Sequence, residues 1–342
     1  MTTDVVNICL IGAGRAGMIH GENFASSVAG ARIAAVAEPN EELRHNAAAS
    51  LGLDVATQTA ADYRELLDRE TIDAVVISTP TVFHREIAVA AAHAGKHVFC
   101  EKPMALTCGE CDEMIEACEA AGVKLQIGFM RRFDAGFKEA YSRLQEGEIG
   151  DLVHVRSLTH GPSIPQPWMY DIAASNGPLA EVNSHDIDTV RWFAGDDVAE
   201  VYAMAGNYRS PEAREKFPDF YDQIHLSLKF RRGAQGSISG AQGVRYGYDA
   251  RAEVIGTSGV LFIGGLKAPL VTSVNRNREI KSTAVASWRN LFSEAYLEED
   301  RSFVQSIRED SPSPVTGNDG REAVKIVVAG NQSAREGTAI KL

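Results

Sequence analysis

Three short stretches of this sequence hold residue types at spacings that could do chemistry. In Glu101-Lys102-Pro103 a lysine stands at the end of a strand-like run, a place where an amine is out of keeping unless it meets a negative group or a developing alkoxide. The plainer reading is a solvated lysine in a turn. In Glu181-Val182-Asn183-Ser184-His185 a carboxylate and an imidazole are spaced so that a helical turn brings them to one face. A histidine beside a carboxylate is held in one tautomer and kept basic, which suits a group that takes a proton from an alcohol near neutral pH. Here the plainer reading is a structural histidine among acids at a helix N-terminus, and Asp186 and Asp188 fit that role better. The third stretch, Gly12-Ala13-Gly14-Arg15-Ala16-Gly17, closes an apolar run that includes Val5, Val6, Ile8, Leu10 and Ile11. Gly12 permits a tight turn, Gly14 lets the backbone approach a pyrophosphate and Gly17 lets a helix pack on a strand, while the main chain from Gly14 through Arg15 and Ala16 points N–H donors at phosphate oxygens. About twenty residues further on, Glu38 ends the next apolar run, where its carboxylate can accept from both ribose hydroxyls of an adenosine and would repel a 2′-phosphate. With no Lys or Arg between Glu38 and Arg44, the pattern selects NAD over NADP.

Such residues need a scaffold that gathers them. From residue 5 to about 128, extended runs at 75–78, 98–101 and 124–128 alternate with helical ones at 84–94 and 109–121. That alternation predicts a doubly wound parallel sheet of Rossmann type. Ligands bind such sheets at the carboxyl ends of the strands, so Gly12, Glu38, Ser78-Thr79-Pro80 and Glu101-Lys102-Pro103 are expected to line one crevice. After Gly128 the texture changes. A helical stretch at 135–145 leads into an alternating run with Val153, Val155, Ser157 and Thr159, then an irregular loop at 161–176 and a helix at 183–193. Five or so extended segments fill 198–280, and helices return at 288–309 and 320–336. The expected fold class is α/β: a Rossmann doubly wound domain over 1–128 that binds the dinucleotide, then an α+β domain over 129–342 with a large, mostly antiparallel, open-faced sheet. The second domain would hold substrate and support oligomerisation, and the C-terminal helix can pack back on the first.

Composition narrows the function classes. A chain of 342 residues with 44% hydrophobic and 23% charged residues is a globular protein of two domains rather than a disordered or membrane one. A net charge of −12 argues against nucleic acid or an anionic membrane as partner. With neither a secretory leader nor a membrane-length apolar run, a cytoplasmic location is expected. The 5 cysteines are an odd number, against a disulfide framework. Cys108, Cys111 and Cys118 lack a fourth zinc ligand, and His154, His160, Glu181, His185 and Asp186 match no ligand spacing, so no metal is expected.

Taken in order, Gly12-x-Gly14-x-x-Gly17, Ser78-Thr79-Pro80, Glu101-Lys102-Pro103, Gly128-Phe129-Met130-Arg131-Arg132-Phe133 and Glu181-x-x-x-His185 resemble the Gfo/Idh/MocA oxidoreductases over essentially the whole chain. Within that family the run from Gly128 is similar to the inositol 2-dehydrogenase branch. The resemblance implies NAD as cofactor, Lys102 at the reacting hydroxyl and the nicotinamide ribose, and His185 as general base. It implies that Glu181 orients substrate and His185, and that Arg132 and His160 lie in the sugar pocket. The implied reaction oxidises a secondary ring hydroxyl of a cyclic polyol, myo-inositol or another inositol, to the keto-inositol, in a homotetramer or dimer. The family usually places Asp, often with a Gly-Gly pair, where this chain has Gly177-Pro178 and Glu181. That departure leaves ring-hydroxyl oxidation of a pyranose or glycoside as an alternative. An NAD-dependent glycosidase and a dinucleotide-sensing regulator are others, the last disfavoured by the presence of both Lys102 and His185.

Overall fold

The apolar runs that open the chain are buried on both sides, as a parallel sheet covered by helices demands. In the computed structural model, which describes residues 5–342 save the side chains of 267–271, they form β1 (Val6–Ile11), β2 (Ala31–Ala37), β4 (Ala74–Ile77), β5 (His97–Glu101) and β6 (Leu125–Gly128), and the two-residue β3 (Thr59–Ala60) is added at the edge. All pair in parallel, in the order β3-β2-β1-β4-β5-β6. The order reverses between β1 and β4, which puts the ligand crevice beyond their carboxyl ends. Helices Arg15–Ser26, His84–His93 and Cys108–Ala121 lie among the connections. The last starts at a capping box in which Thr107 and Glu110 satisfy each other's backbone N–H.

This unit is not one continuous stretch. It takes the chain up to Phe133 together with Glu294–Val324. The helix Ser293–Arg308 brings Phe303 and Val304 into the core formed by Val6, Ile8, Leu10, Val76 and Phe99. The turn Met130–Phe133, with Met130 and Arg131 buried, stays with β6. The boundary expected at 128 lies before this turn, which the division into units keeps with the first stretch.

The second unit comprises Asp134–Ser293 and Lys325–Leu342. Its sheet contains β7 (Leu152–Gly161), β8 (Val198–Gly206), β9 (Gln223–Phe230), β10 (Gln235–Gln242), β11 (Asp249–Gly256) and β12 (Val260–Ile263). Strands β13 (Lys267–Val274) and β14 (Ile280–Ala284) make a separate hairpin, and β15 (Ile340–Lys341) joins the main sheet at its edge. The strand order is β12-β11-β7-β10-β9-β8-β15, antiparallel throughout except for β7 with β10. The mostly antiparallel sheet foreseen from sequence is thus present, with more strands than expected because 249–263 folds back on itself and 267–284 forms the hairpin.

Residue parity divides this sheet into two faces. Along β7, Val155, Ser157 and Thr159 are buried and Ser157 Oγ donates to Asp186 Oδ1 of helix Ser184–Ala194 at 2.6 Å. On β10 a Cβ at Gly240 would overlap the Asn183 side chain, so that helix start is seated on the same face. The other face carries His154, Arg156 and His160 of β7 with exposed Tyr202 and Met204 of β8 and Phe262 of β12.

Candidate active site

In the first unit the candidate residues meet at the strand ends. Gly12 follows β1 with φ +95°, and a Cβ there would sit 2.6 Å from the Ser78 carbonyl oxygen, so the turn accepts only glycine. A Cβ on Gly17 would overlap the Gly12 carbonyl. Gly14 differs: nothing lies within 4 Å of the Cβ position, and it caps helix Arg15–Ser26 without any side-chain acceptor. The open space and the uncapped N–H groups suit an incoming phosphate. Glu38, 8% exposed, accepts from Ala13 N at 2.9 Å and from Asn40 N at 3.0 Å, one bond on each carboxylate oxygen. Each oxygen keeps a lone pair for a ribose hydroxyl. Arg44 Nη1 donates to the Glu38 carbonyl at 2.7 Å, so its charge lies against the same turn. A cavity of about 500 Å³ is lined by Gly12, Gly14, Glu38, Ser78, Thr79 and Pro80, among others.

Lys102 follows the last residue of β5, and its peptide with Pro103 is cis. Two buried side chains fix this strand end. Glu101 accepts the Lys102 N–H on Oε2 at 2.9 Å. His84, 1% exposed, stands between the carbonyl oxygens of Thr79 and Pro103, 2.8 Å from Nε2 and 2.9 Å from Nδ1 respectively, and so packs between the β4 turn and the β5 turn. Burial holds the His84 ring below its ordinary pKa against the pull of the two carbonyls.

In the second unit Glu181 and His185 are separated by a helix break. Glu181 ends helix Gly177–Glu181, and His185 stands in the first turn of helix Ser184–Ala194, with Val182 and Asn183 between. The single helical face expected from their spacing is therefore two short elements. The first is seated by buried Leu179 and Ala180 and by Tyr221, which reaches the Leu179 N–H at 3.3 Å and donates to Asn331 Oδ1 at 2.6 Å. The second is seated by Asp186, which accepts from Ser157 and, at 2.8 Å, from Asn183 Nδ2. His185 is 6% exposed, and its carbonyl accepts from Thr189 Oγ1 at 2.7 Å.

Comparisons with known proteins identify the family. Residues 6–129 match the oxidoreductase family with NAD-binding Rossmann fold named GFO_IDH_MocA, and residues 137–262 match its C-terminal domain. A Thermotoga maritima myo-inositol 2-dehydrogenase is 33% identical over 98% of both chains, and a Bacillus subtilis scyllo-inositol 2-dehydrogenase (NAD(+)) is 32% identical over 98% of this chain and 96% of that one. A Lactobacillus casei scyllo-inositol dehydrogenase solved with NAD(H) and scyllo-inositol superposes with TM-score 0.90 at 28% identity, covering 98% and 99% of the two chains. The chain belongs to the GFO/IDH/MocA oxidoreductase family.

NAD is the cofactor of this GFO/IDH/MocA member, and the first unit fits it. The Gly14 space would receive the pyrophosphate, the Arg15–Ser26 helix start would face it, and Glu38 would take the ribose. Arg132, expected at the sugar, places Nη2 2.9 Å from Asp319 Oδ1. Burial works to raise the Asp319 carboxyl, but Arg132 and the Thr316 N–H hold it below its ordinary value.

His160 stands apart from the other expected pocket residues of its unit. Its position on β7 puts it on the face opposite to Ser157 and Asp186, with Nε2 2.9 Å from Ser239 Oγ and Nδ1 2.6 Å from Tyr246 Oη. A shared pocket with His185, which belongs to the helix on the other face, is therefore not what this strand's alternation gives.

Sequence reasoning missed Asp62, Tyr63 and Arg64, which also line the cavity. They follow β3, a two-residue strand with no apolar run to mark a strand end. Among the described residues, no group of three or more His, Cys, Asp and Glu could hold a metal.

Proposed function

We propose that this protein is an NAD-dependent dehydrogenase that oxidises one secondary ring hydroxyl of an inositol to the ketone. The observation that carries the reading is Lys102 at the carboxyl end of β5 in an NAD-binding sheet, in a chain similar over 98% of its length to a myo-inositol 2-dehydrogenase. His185 takes the hydroxyl proton, and Lys102 donates to the oxygen as negative charge develops on it. Glu181 orients the substrate and His185, and Arg132 with its partner Asp319 offers hydrogen bonds to further ring hydroxyls. Bound NAD supplies the acceptor for the hydride that leaves the ring carbon. The protein's part is placement and charge.

The same reading extends to the setting. All 5 cysteines are free thiols with no disulfide among them, as suits a chain kept in the reducing cytoplasm. The open face of the second sheet, with exposed Phe262, Met204 and Tyr202, is where copies of this chain would associate into a dimer or tetramer.

A substrate panel tests the reading. NADH absorbance should rise steadily with myo-inositol or scyllo-inositol and stay flat with pyranoses and glycosides. Turnover confined to pyranoses would move the assignment to a sugar dehydrogenase, aglycone release without NADH to a glycosidase, and binding without turnover to a regulator.

A further inference from the structure

Beside Lys102 the first unit buries a charged cluster that dinucleotide binding does not call for. His20 is wholly buried, with Nδ1 2.6 Å from Asp300 Oδ1 and Nε2 3.0 Å from Glu101 Oε1. With an acceptor facing each ring nitrogen, only the imidazolium can donate to both. Asp300 takes Asn23 Nδ2 on its other oxygen at 2.8 Å, and Glu101 gives its other oxygen to the Lys102 N–H at 2.9 Å. The surroundings are aromatic: the Phe99 and Tyr296 rings lie 4.9 Å and 5.5 Å from the imidazole. Burying ions in such a place is costly, and apolar side chains of like volume would serve the core as well or better. Buried, perturbed groups of this kind gather where function needs them.

We propose that His20, charged and clamped between Asp300 and Glu101, is a positioning residue for Lys102. The proposal rests on the reading of Lys102 as the group that meets the developing oxyanion. By engaging Oε1, the imidazolium fixes the Glu101 carboxylate so that Oε2 holds the main chain at Lys102. Gly128 leaves the room for this: a Cβ there would lie 3.1 Å from Glu101 Cδ. Because His20 belongs to the helix that starts at Gly14, one charged contact joins the phosphate-facing helix to the strand end that presents Lys102.

The charge state follows from the neighbours. Burial by itself would discharge the ring, but Asp300 first and Glu101 second outweigh it and lift the His20 pKa well above its ordinary value. Burial would likewise raise Glu101, but His20 and Lys102 hold its carboxyl below the usual range. Burial leaves the Asp300 carboxyl above its ordinary value despite His20 and Asn23. The groups facing His20 are thus Glu101 from β5 and Asp300 and Tyr296 from helix Ser293–Arg308; Lys102 acts on Glu101 in turn, and Glu101 on the His84 ring.

The test uses the whole enzyme. In the wild type, NMR of labelled histidine should show both His20 nitrogens still protonated at neutral pH, where an ordinary imidazole has largely discharged. His20→Gln should lower kcat by about a hundredfold, the scale of a misplaced catalytic group, with NAD affinity and the KM for inositol little changed. In Asp300→Asn the ring keeps only the weaker of its two carboxylates, so its pKa falls; since the imidazolium is the clamping form, kcat should fall as pH rises while the wild type stays level. A merely structural role would lower the melting temperature without giving that pH-dependent limb. A neutral His20 in the wild type near pH 7, or a folded Asp300→Asn enzyme with the wild-type pH profile, overturns the proposal. Lys102→Met run in parallel separates the two readings. If it keeps wild-type turnover, the role of Lys102 falls and this one with it; if it loses turnover while folded His20→Gln does not, only the clamp falls.

Discussion

The first unit sets its candidate residues one after another at the ends of parallel strands, whereas the second sets them on two short helices and inside a strand. Gly12, Glu38, Ser78 and Lys102 each directly follow the last residue of β1, β2, β4 and β5. Position along the chain becomes position in space by one rule, that all carboxyl ends of a parallel sheet point the same way. In the second unit no such rule exists. What Glu181, His185 and His160 meet depends on where a helix breaks and on which face of a mixed sheet a residue falls.

The sharpest way to break this contrast is to remove one group from each unit. Lys102→Met and His185→Ala should each lower turnover by about a hundredfold or more, the usual cost of an oxyanion donor or a general base. NAD affinity, followed by titration, should change little. If both groups act on one hydroxyl, the double variant should lose little more than either single one, because residues that work as a unit are not additive. Losses that simply multiply would mean two independent roles.

Within the first unit, the glycines of one turn should behave differently from each other. Gly17→Ala places a Cβ against the Gly12 carbonyl, a clash with backbone that cannot move aside, and should cost about 2–3 kcal/mol of stability in a denaturant melt. Gly14→Val places its Cβ in open space and should fold normally, yet bind NAD at least about tenfold more weakly because its side chain enters the phosphate space. Equal loss of stability in both would show that Gly14 serves the fold rather than the cofactor.

That pair of glycines also shows how far sequence reaches. The Gly-rich turn, Glu38, the turn after β4 and Lys102 were legible because each closes an apolar run, and such runs mark buried parallel strands. Asp62, Tyr63 and Arg64 were not, since β3 is only Thr59–Ala60 and carries no such mark. The His20–Glu101–Asp300 cluster was hidden by distance, because Asp300 returns from a segment near the end of the chain to the first core. In the second unit the helix carrying His185 was foreseen, but the break at Val182 and Asn183 was not: no Gly or Pro interrupts those residues, and the break is set by packing. Asn183 turns its side chain to Asp186, which in turn holds Ser157.

A smaller effect concerns cofactor choice at Glu38. Glu38→Ser removes the carboxylate that would repel a 2′-phosphate and leaves Arg44, already bonded to the same turn, able to meet one. The ratio of kcat/KM for NAD to that for NADP should fall by about tenfold, roughly 1.4 kcal/mol. An unchanged ratio would shift selectivity to Asp62-Tyr63-Arg64 across the cavity, where Arg64 is already held by Asp62 at 3.1 Å and by Glu86.

The smallest expected effect falls on His160, and it tests the face rule of the second unit directly. His160 alternates with Ser157 and Thr159 along β7, bonds Ser239 and Tyr246, and shares its face with His154 and Arg156 rather than with the helix that carries His185. Burial holds its ring below the ordinary imidazole pKa, so it is neutral at the pH where a dehydrogenase is assayed and contributes no charge to a substrate. His160→Ala should therefore leave kcat and the KM for inositol within about threefold of the wild type, a change under about 0.7 kcal/mol. Its cost should appear instead in the melting temperature, since Tyr246 and Ser239 each lose a hydrogen-bond partner worth about 1 kcal/mol. A rise in KM of about a hundredfold with the melting temperature unchanged would place His160 against the ring hydroxyls after all, and would mean that strand alternation does not decide which face of this sheet meets substrate.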